Sequence, residues 1–274
     1  MQAESFFLPA ADGARYCIHH PPRAAFRGCM LYLHPFGEEM NKSRRTAALA
    51  ARSFAADGWA ILQIDMRGCG DSIGEFIDAT WESWLNDANL GINWLRERYG
   101  RIDIVWGLRL GALLACDVAS RIDRCDLLLW QPVLSGNQHL TQFLRLKAAA
   151  EMLNPDGARG GTKALRDALT QGRHVEIAGY QLAPALALPM DEARLRLPPS
   201  YRGRVFWFEV SPDDASTLSP SSVQFIETAR AAGVSIESQC VQGPPFWQSV
   251  EVEEAPLLIS KSQAALSGNA RAYA

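Results

Sequence analysis

Ile104-Val105-Trp106-Gly107-Leu108-Arg109-Leu110-Gly111-Ala112 is the stretch whose reading decides the fold. A short apolar run meets a glycine-bracketed turn, and the turn opens into the apolar stretch Ala112-Leu-Leu-Ala-Cys-Asp-Val-Ala-Ser-Arg121. The pattern predicts a buried strand, a sharp turn and a buried helix. Gly107 and Gly111 bracket position 109 with the spacing of the G-x-S-x-G elbow, whose glycines let strand and helix pass closely while the central side chain points away from the sheet. Here the central residue is arginine. A guanidinium has no lone pair to attack with and stays protonated at any working pH, so Arg109 cannot be a nucleophile.

Composition limits what surrounds this turn. The chain has 274 residues, 48% of them hydrophobic, enough for one large α/β core with an insertion. A formal net charge of −3, with no block of five or six like charges, argues against nucleic acid as a partner. The N-terminal residues carry no basic region followed by a long apolar one, and no window approaches the ~20 apolar residues of a membrane span. The expectation is a soluble, cytoplasmic protein. Six cysteines lie scattered without a C-x-x-C pair, which reads as reduced packing residues rather than zinc ligands or disulfides.

Taken in order, residues 5–8 and 15–20 are β-prone runs separated by Pro9-Ala-Ala-Asp12-Gly13, a turn signal for an antiparallel hairpin. His19 and His20 at its end point to opposite faces and read as surface or edge residues. Residues 29–33 form an apolar run that suits a buried parallel strand. After it comes the loop His34-Pro35-Phe36-Gly37-Glu38-Glu39-Met40-Asn41-Lys42-Ser43-Arg44-Arg45, then a helix over 46–56 and a strand over 59–64. Asp65-Met66-Arg67-Gly68-Cys69-Gly70-Asp71-Ser72 follows, a D-x-R-G-x-G-x-S loop whose residues brace one another. Trp81, Trp84, Leu85, Ala88, Ile92 and Leu95 recur at helical spacing as a core-facing stripe, and 126–130 is one more buried strand. From about 135 to 198 the alternation breaks, and it resumes with strands over 205–210 and 234–241 and a closing helix from Pro256.

The D-x-R-G-x-G-x-S loop and the G-x-x-x-G turn resemble the α/β-hydrolase superfamily over essentially the whole chain. The Leu33-to-Arg44 loop, Trp106-Gly-Leu-Arg-Leu-Gly-Ala112 and Ala178-Gly-Tyr180 resemble, more narrowly, the second of two hydrolase-like proteins associated with bacterial exosortase A systems. That likeness implies an α/β-hydrolase fold: a mostly parallel, twisted sheet of about eight strands flanked by helices, with a core from 1–134 and 199–274 and a cap from 135–198. It also implies a setting beside protein-sorting and exopolysaccharide machinery, where a protein partner would be found. No reaction comes with it, because the fold hosts many unrelated chemistries.

In such a fold the catalytic chain order is nucleophile, acid, histidine. Arg109 takes the first place, Asp213 or Asp214 fits the second, and the third falls in Gln242-Gly-Pro-Pro-Phe-Trp-Gln-Ser-Val250, where Trp247 stands and no histidine follows His174. Oxyanion-hole amides would lie near Phe36 and at Leu110. Three readings remain open. In the first, Arg109 and those amides bind a carboxylate or phosphate without catalysis, with Phe36, Leu110 and Trp247 forming the pocket around a small-molecule or lipid-like anion. In the second, a hydrolase with a rebuilt, non-serine mechanism acts on an anionic ester or acyl substrate, with His34, Asp213 or a carboxylate of Glu38 or Glu39 as base. In the third, Arg109 is neutralised by Asp213 or Glu38 and props the pocket shut. None of the three calls for a metal or a cofactor.

Overall fold

The computed structural model describes residues 2–152, 161–213 and 217–268. In chain order the first elements are β1 (Glu4–Ala10), β2 (Gly13–His20), β3 (Gly28–Leu33), α1 (Glu38–Ala56), β4 (Trp59–Ile64), α2 (Trp81–Tyr99), β5 (Ile104–Leu108), α3 (Gly111–Ala119) and β6 (Asp126–Trp130). An insertion follows, built of α4 (Gly136–Met152), α5 (Gly161–Thr170), the hairpin β7 (Val175–Ile177) and β8 (Tyr180–Leu182), and α6 (Pro184–Glu192). The chain then completes β9 (Arg204–Ser211), α7 (Pro220–Ala231), β10 (Ser235–Gln242) and α8 (Pro256–Gly268).

Eight strands make one sheet in the order β1-β2-β4-β3-β5-β6-β9-β10. The hairpin β1–β2 pairs antiparallel and joins β4 antiparallel, while every neighbour from β4 to β10 is parallel. Strands β3, β5 and β6 are buried along their whole length, as a parallel sheet covered on both faces requires. Side chains alternate between the faces. Leu31, Leu33, Val105, Leu127 and Leu129 pack against α2 and α3, and Met30, Tyr32, Trp106, Leu128 and Trp130 pack against α1 and α8.

Two local expectations change, and a third segment takes a form that no expectation covered. His19 and His20 are both buried, because β1 takes the sheet edge and leaves β2 inside it; His19 reaches Glu4 and Tyr99, and His20 reaches Gln63. Helix α1 begins at Glu38 rather than near 46, since Gly37 adopts φ 55° as its N-cap and Glu38 and Glu39 suit the positive helix start. Residues 175–182 form a tight hairpin, with Ala178 at φ 48° and Gly179 at φ 85° in the turn. The D-x-R-G-x-G-x-S loop is braced as read: Asp65 accepts from Arg44, Ser72 Oγ accepts from Tyr16 N–H, and Arg67 reaches Asp12.

Candidate functional site

The strand-to-helix turn after β5 is tight for a steric reason. A Cβ on Gly107 would lie 2.6 Å from the Ala112 Cα, and one on Gly111 would run into the Leu33 and His34 carbonyl oxygens. Only hydrogen fits at either place. Between them Arg109 is forced to φ 53°, a left-handed conformation that costs a side-chain-bearing residue about 1–2 kcal/mol. Its amide donates to the Trp130 carbonyl at 3.0 Å, and its carbonyl accepts from Ala112 and Val133. The apex is therefore fixed by β6 on one side and by the start of α3 on the other.

The Arg109 guanidinium meets Glu39, with Nε 3.2 Å and Nη2 3.0 Å from Oε1. Its carbon lies 5.4 Å from the centre of the Trp247 ring, within cation–π range. Nη1 makes no hydrogen bond to a described residue. The pair is not sealed, since the two side chains are 15% and 20% exposed. Glu38, a sequence candidate for the partner of Arg109, turns away to accept from the Tyr180 hydroxyl at 2.9 Å and from Asn41 at 3.0 Å. Asp213, the other candidate, is exposed, and Asp214 lies outside the described residues.

Of the remaining sequence candidates, Trp247 and Phe36 are buried and line a cavity of about 310 Å³ together with Glu38, Glu39 and Arg109. Leu110, also buried, is the N-cap of α3 with no side-chain cap. His34 has no ring nitrogen to spare. Its Nδ1 is 2.8 Å from the Pro35 carbonyl, which makes that nitrogen the donor, and Nε2 accepts from the Met66 amide at 3.2 Å. Burial holds its pKa below the ordinary histidine range against the pull of Asp65.

Sequence reasoning missed His139. It sits in the first turn of α4, 6% exposed, and packs edge-on against Phe36 with ring centres 5.7 Å apart. Neither ring nitrogen has a hydrogen-bond partner among the described residues. Burial, helped by the charge of Arg109 and opposed by Glu39, drives its pKa down to about 4. The imidazole is neutral at pH 7. Chain order points only beyond β10 for a histidine; a polar residue opening the insertion was the available signal.

Two ties frame the cavity mouth. The Glu38–Tyr180 bond joins the start of α1 to the hairpin β7–β8, and Lys42 Nζ reaches the Ser249 carbonyl at 2.7 Å in the segment that follows β10. Among the described residues no cluster of His, Cys, Asp or Glu is arranged to hold a metal ion, and no helix is long and apolar enough to cross a membrane.

The sequence matches no family model and no curated protein. Solved structures do resemble it. Est1E from Butyrivibrio proteoclasticus, seen with ferulic acid bound, superposes with a TM-score of 0.66 at 14% identity, covering 96% of this chain and 98% of its own. A thermostable carboxyl esterase from Bacillus coagulans gives 0.63 at 12% identity, covering 98% of this chain and 99% of its own. XC6422 from Xanthomonas campestris, a serine hydrolase without a lid, gives 0.57 at 12% identity, covering 98% of this chain and 95% of its own. With the sheet order and the turn geometry, these similarities define an α/β-hydrolase fold. At such identities they carry the architecture and nothing of the chemistry.

Proposed function

We propose that this α/β-hydrolase-fold protein binds an amphiphilic anion at Arg109 and performs no serine-esterase chemistry. The observation that carries the reading is the guanidinium at the apex of the turn, held at φ 53°, with Nη1 unpaired beside a 310 Å³ cavity. Glu39 takes the Nε edge and orients the group, leaving the outer edge for a carboxylate or phosphate oxygen. Because Glu39 offsets the charge of Arg109, the floor of the cavity is an ion pair and not a bare cation. Selectivity for an anion then comes from direct hydrogen bonds more than from long-range field. Phe36, Phe143, Leu146 and Trp247 give the cavity apolar walls suited to an acyl chain.

The likeness to exosortase-associated proteins supports a setting beside exopolysaccharide or protein-sorting machinery, with a protein partner there. A second reading rests on Glu39, whose half-buried carboxylate faces the cavity: a rebuilt hydrolase in which that group activates water.

Thermal unfolding in the presence of decanoate or octyl phosphate tests the first reading. Both should raise the wild-type melting temperature, and Arg109→Met should abolish the shift; an equal shift in the variant rejects the anion site. A fluorophosphonate probe should leave the wild type unlabelled. Turnover of p-nitrophenyl esters that disappears in Glu39→Gln would replace the first reading with the second.

A further inference from the structure

Arg109 stands between two hollows. On one side is the 310 Å³ cavity with its aromatic and aliphatic walls; on the other is a slot of about 130 Å³. The slot is walled by Gln131, Ser135, Gln138, Ser219 and Ser221, with Glu209 at its edge and the apolar turn at 132–134 closing it. Arg109, His139 and Gln142 line both spaces.

The slot offers hydrogen bonds without net positive charge of its own. Glu209 accepts from the Ser219 amide at 2.7 Å and from its hydroxyl at 3.1 Å, and its carboxylate opposes a second anion there. His139 stands at the junction, nine-tenths buried, with both nitrogens unpartnered by the described residues. Both nitrogens are closed off from solvent in this structure, so the ring meets the slot only once it turns; a neutral imidazole then presents one donor and one acceptor, the complement of an alcohol. The slot has the room of roughly four water molecules, which suits a small polyol. A carboxylate ends a chain, whereas a phosphodiester carries a substituent on each side of its charge. A diester is the simplest anion that can sit at Arg109 and send one substituent into each hollow.

We propose that the slot and His139 recognise an uncharged hydroxylated group, so that the ligand is a phosphodiester with an apolar chain in the cavity and a polyol in the slot. This rests on the reading of Arg109 as an anion site. Calorimetric titration with two diesters of equal charge, octyl methyl phosphate and octyl glyceryl phosphate, tests it. The wild type should bind the glyceryl diester roughly tenfold more tightly, the worth of one buried hydrogen-bonding set. His139→Phe, which keeps the ring against Phe36, should lose that preference. Ser221→Trp, which plugs the slot from its exposed rim, should do the same without touching the histidine. Equal wild-type affinities, or a preference that survives both variants, overturn the slot and leave the anion site standing. Binding of the methyl diester that Arg109→Met leaves intact, or no binding of either diester by the wild type, overturns the anion site and the slot with it.

Discussion

His34 and His139 are both buried near Phe36, and burial lowers the pKa of both, yet they differ in every bond they make. His34 spends Nδ1 on the Pro35 carbonyl and Nε2 on the Met66 amide, stitching the loop after β3 to the loop after β4. His139 spends neither nitrogen on a described residue and stands where two hollows meet. A buried histidine with its hydrogen bonds made is scaffold. One held neutral and unpaired is a cost to folding, and a candidate for work.

Removing the scaffold histidine is the harshest test of this contrast. His34→Phe leaves a buried amide and a buried carbonyl without partners, and should cost about 2–4 kcal/mol in urea unfolding at pH 7. His139→Phe should stay within about 1 kcal/mol of the wild type under the same conditions, since it removes an unpaired polar group. Comparable losses in the two variants would show that His139 is structural after all.

Acid separates the pair next. Below about pH 6.5 the unfolded chain takes up a proton that native His139 refuses until about pH 4, so stability falls as the pH drops through that window. Between pH 7 and pH 4.5 the wild type should lose about 2 kcal/mol more than His139→Phe. The contribution of His34 is common to both proteins and cancels. Parallel pH profiles would mean that His139 is solvated and ordinary.

The smallest expected effect is a null one. Arg109→Ser restores a hydroxyl at the turn in a protein that does have a histidine nearby, but no carboxylate is hydrogen-bonded to His139 to fix its tautomer, so esterase activity should stay at background. Turnover in Arg109→Ser that vanished on adding His139→Phe would show that the imidazole can act as a base without such a partner.

The fold was legible because its strongest constraints are local. Apolar runs at 29–33, 104–108 and 127–130 admit only covered parallel strands, and glycines at 107 and 111 admit only a close strand–helix crossing. Asp65 to Ser72 was legible for the same reason. The partner of Arg109 was not, because neighbouring residues on a helix point about 100° apart, and the choice between Glu38 and Glu39 depends on where α1 starts. Gly37 sets that start, which sends Glu39 to the guanidinium and Glu38 to Tyr180. His139 was hidden more deeply. Its environment is made by Phe36, Arg109 and α4 together, and no sequence window contains all three.

The two ties at the cavity mouth carry a consequence for timing. Glu38–Tyr180 and Lys42–Ser249 are exposed or half-buried bonds between side chains and the segments flanking the opening, each worth about 0.5–1.5 kcal/mol net. Breaking them needs no rearrangement of the sheet or of the turn at Arg109. Opening of the mouth is thereby uncoupled from the rigid floor: it asks only for side-chain and loop rearrangement, the class of motion that runs on the nanosecond-to-microsecond scale in proteins generally.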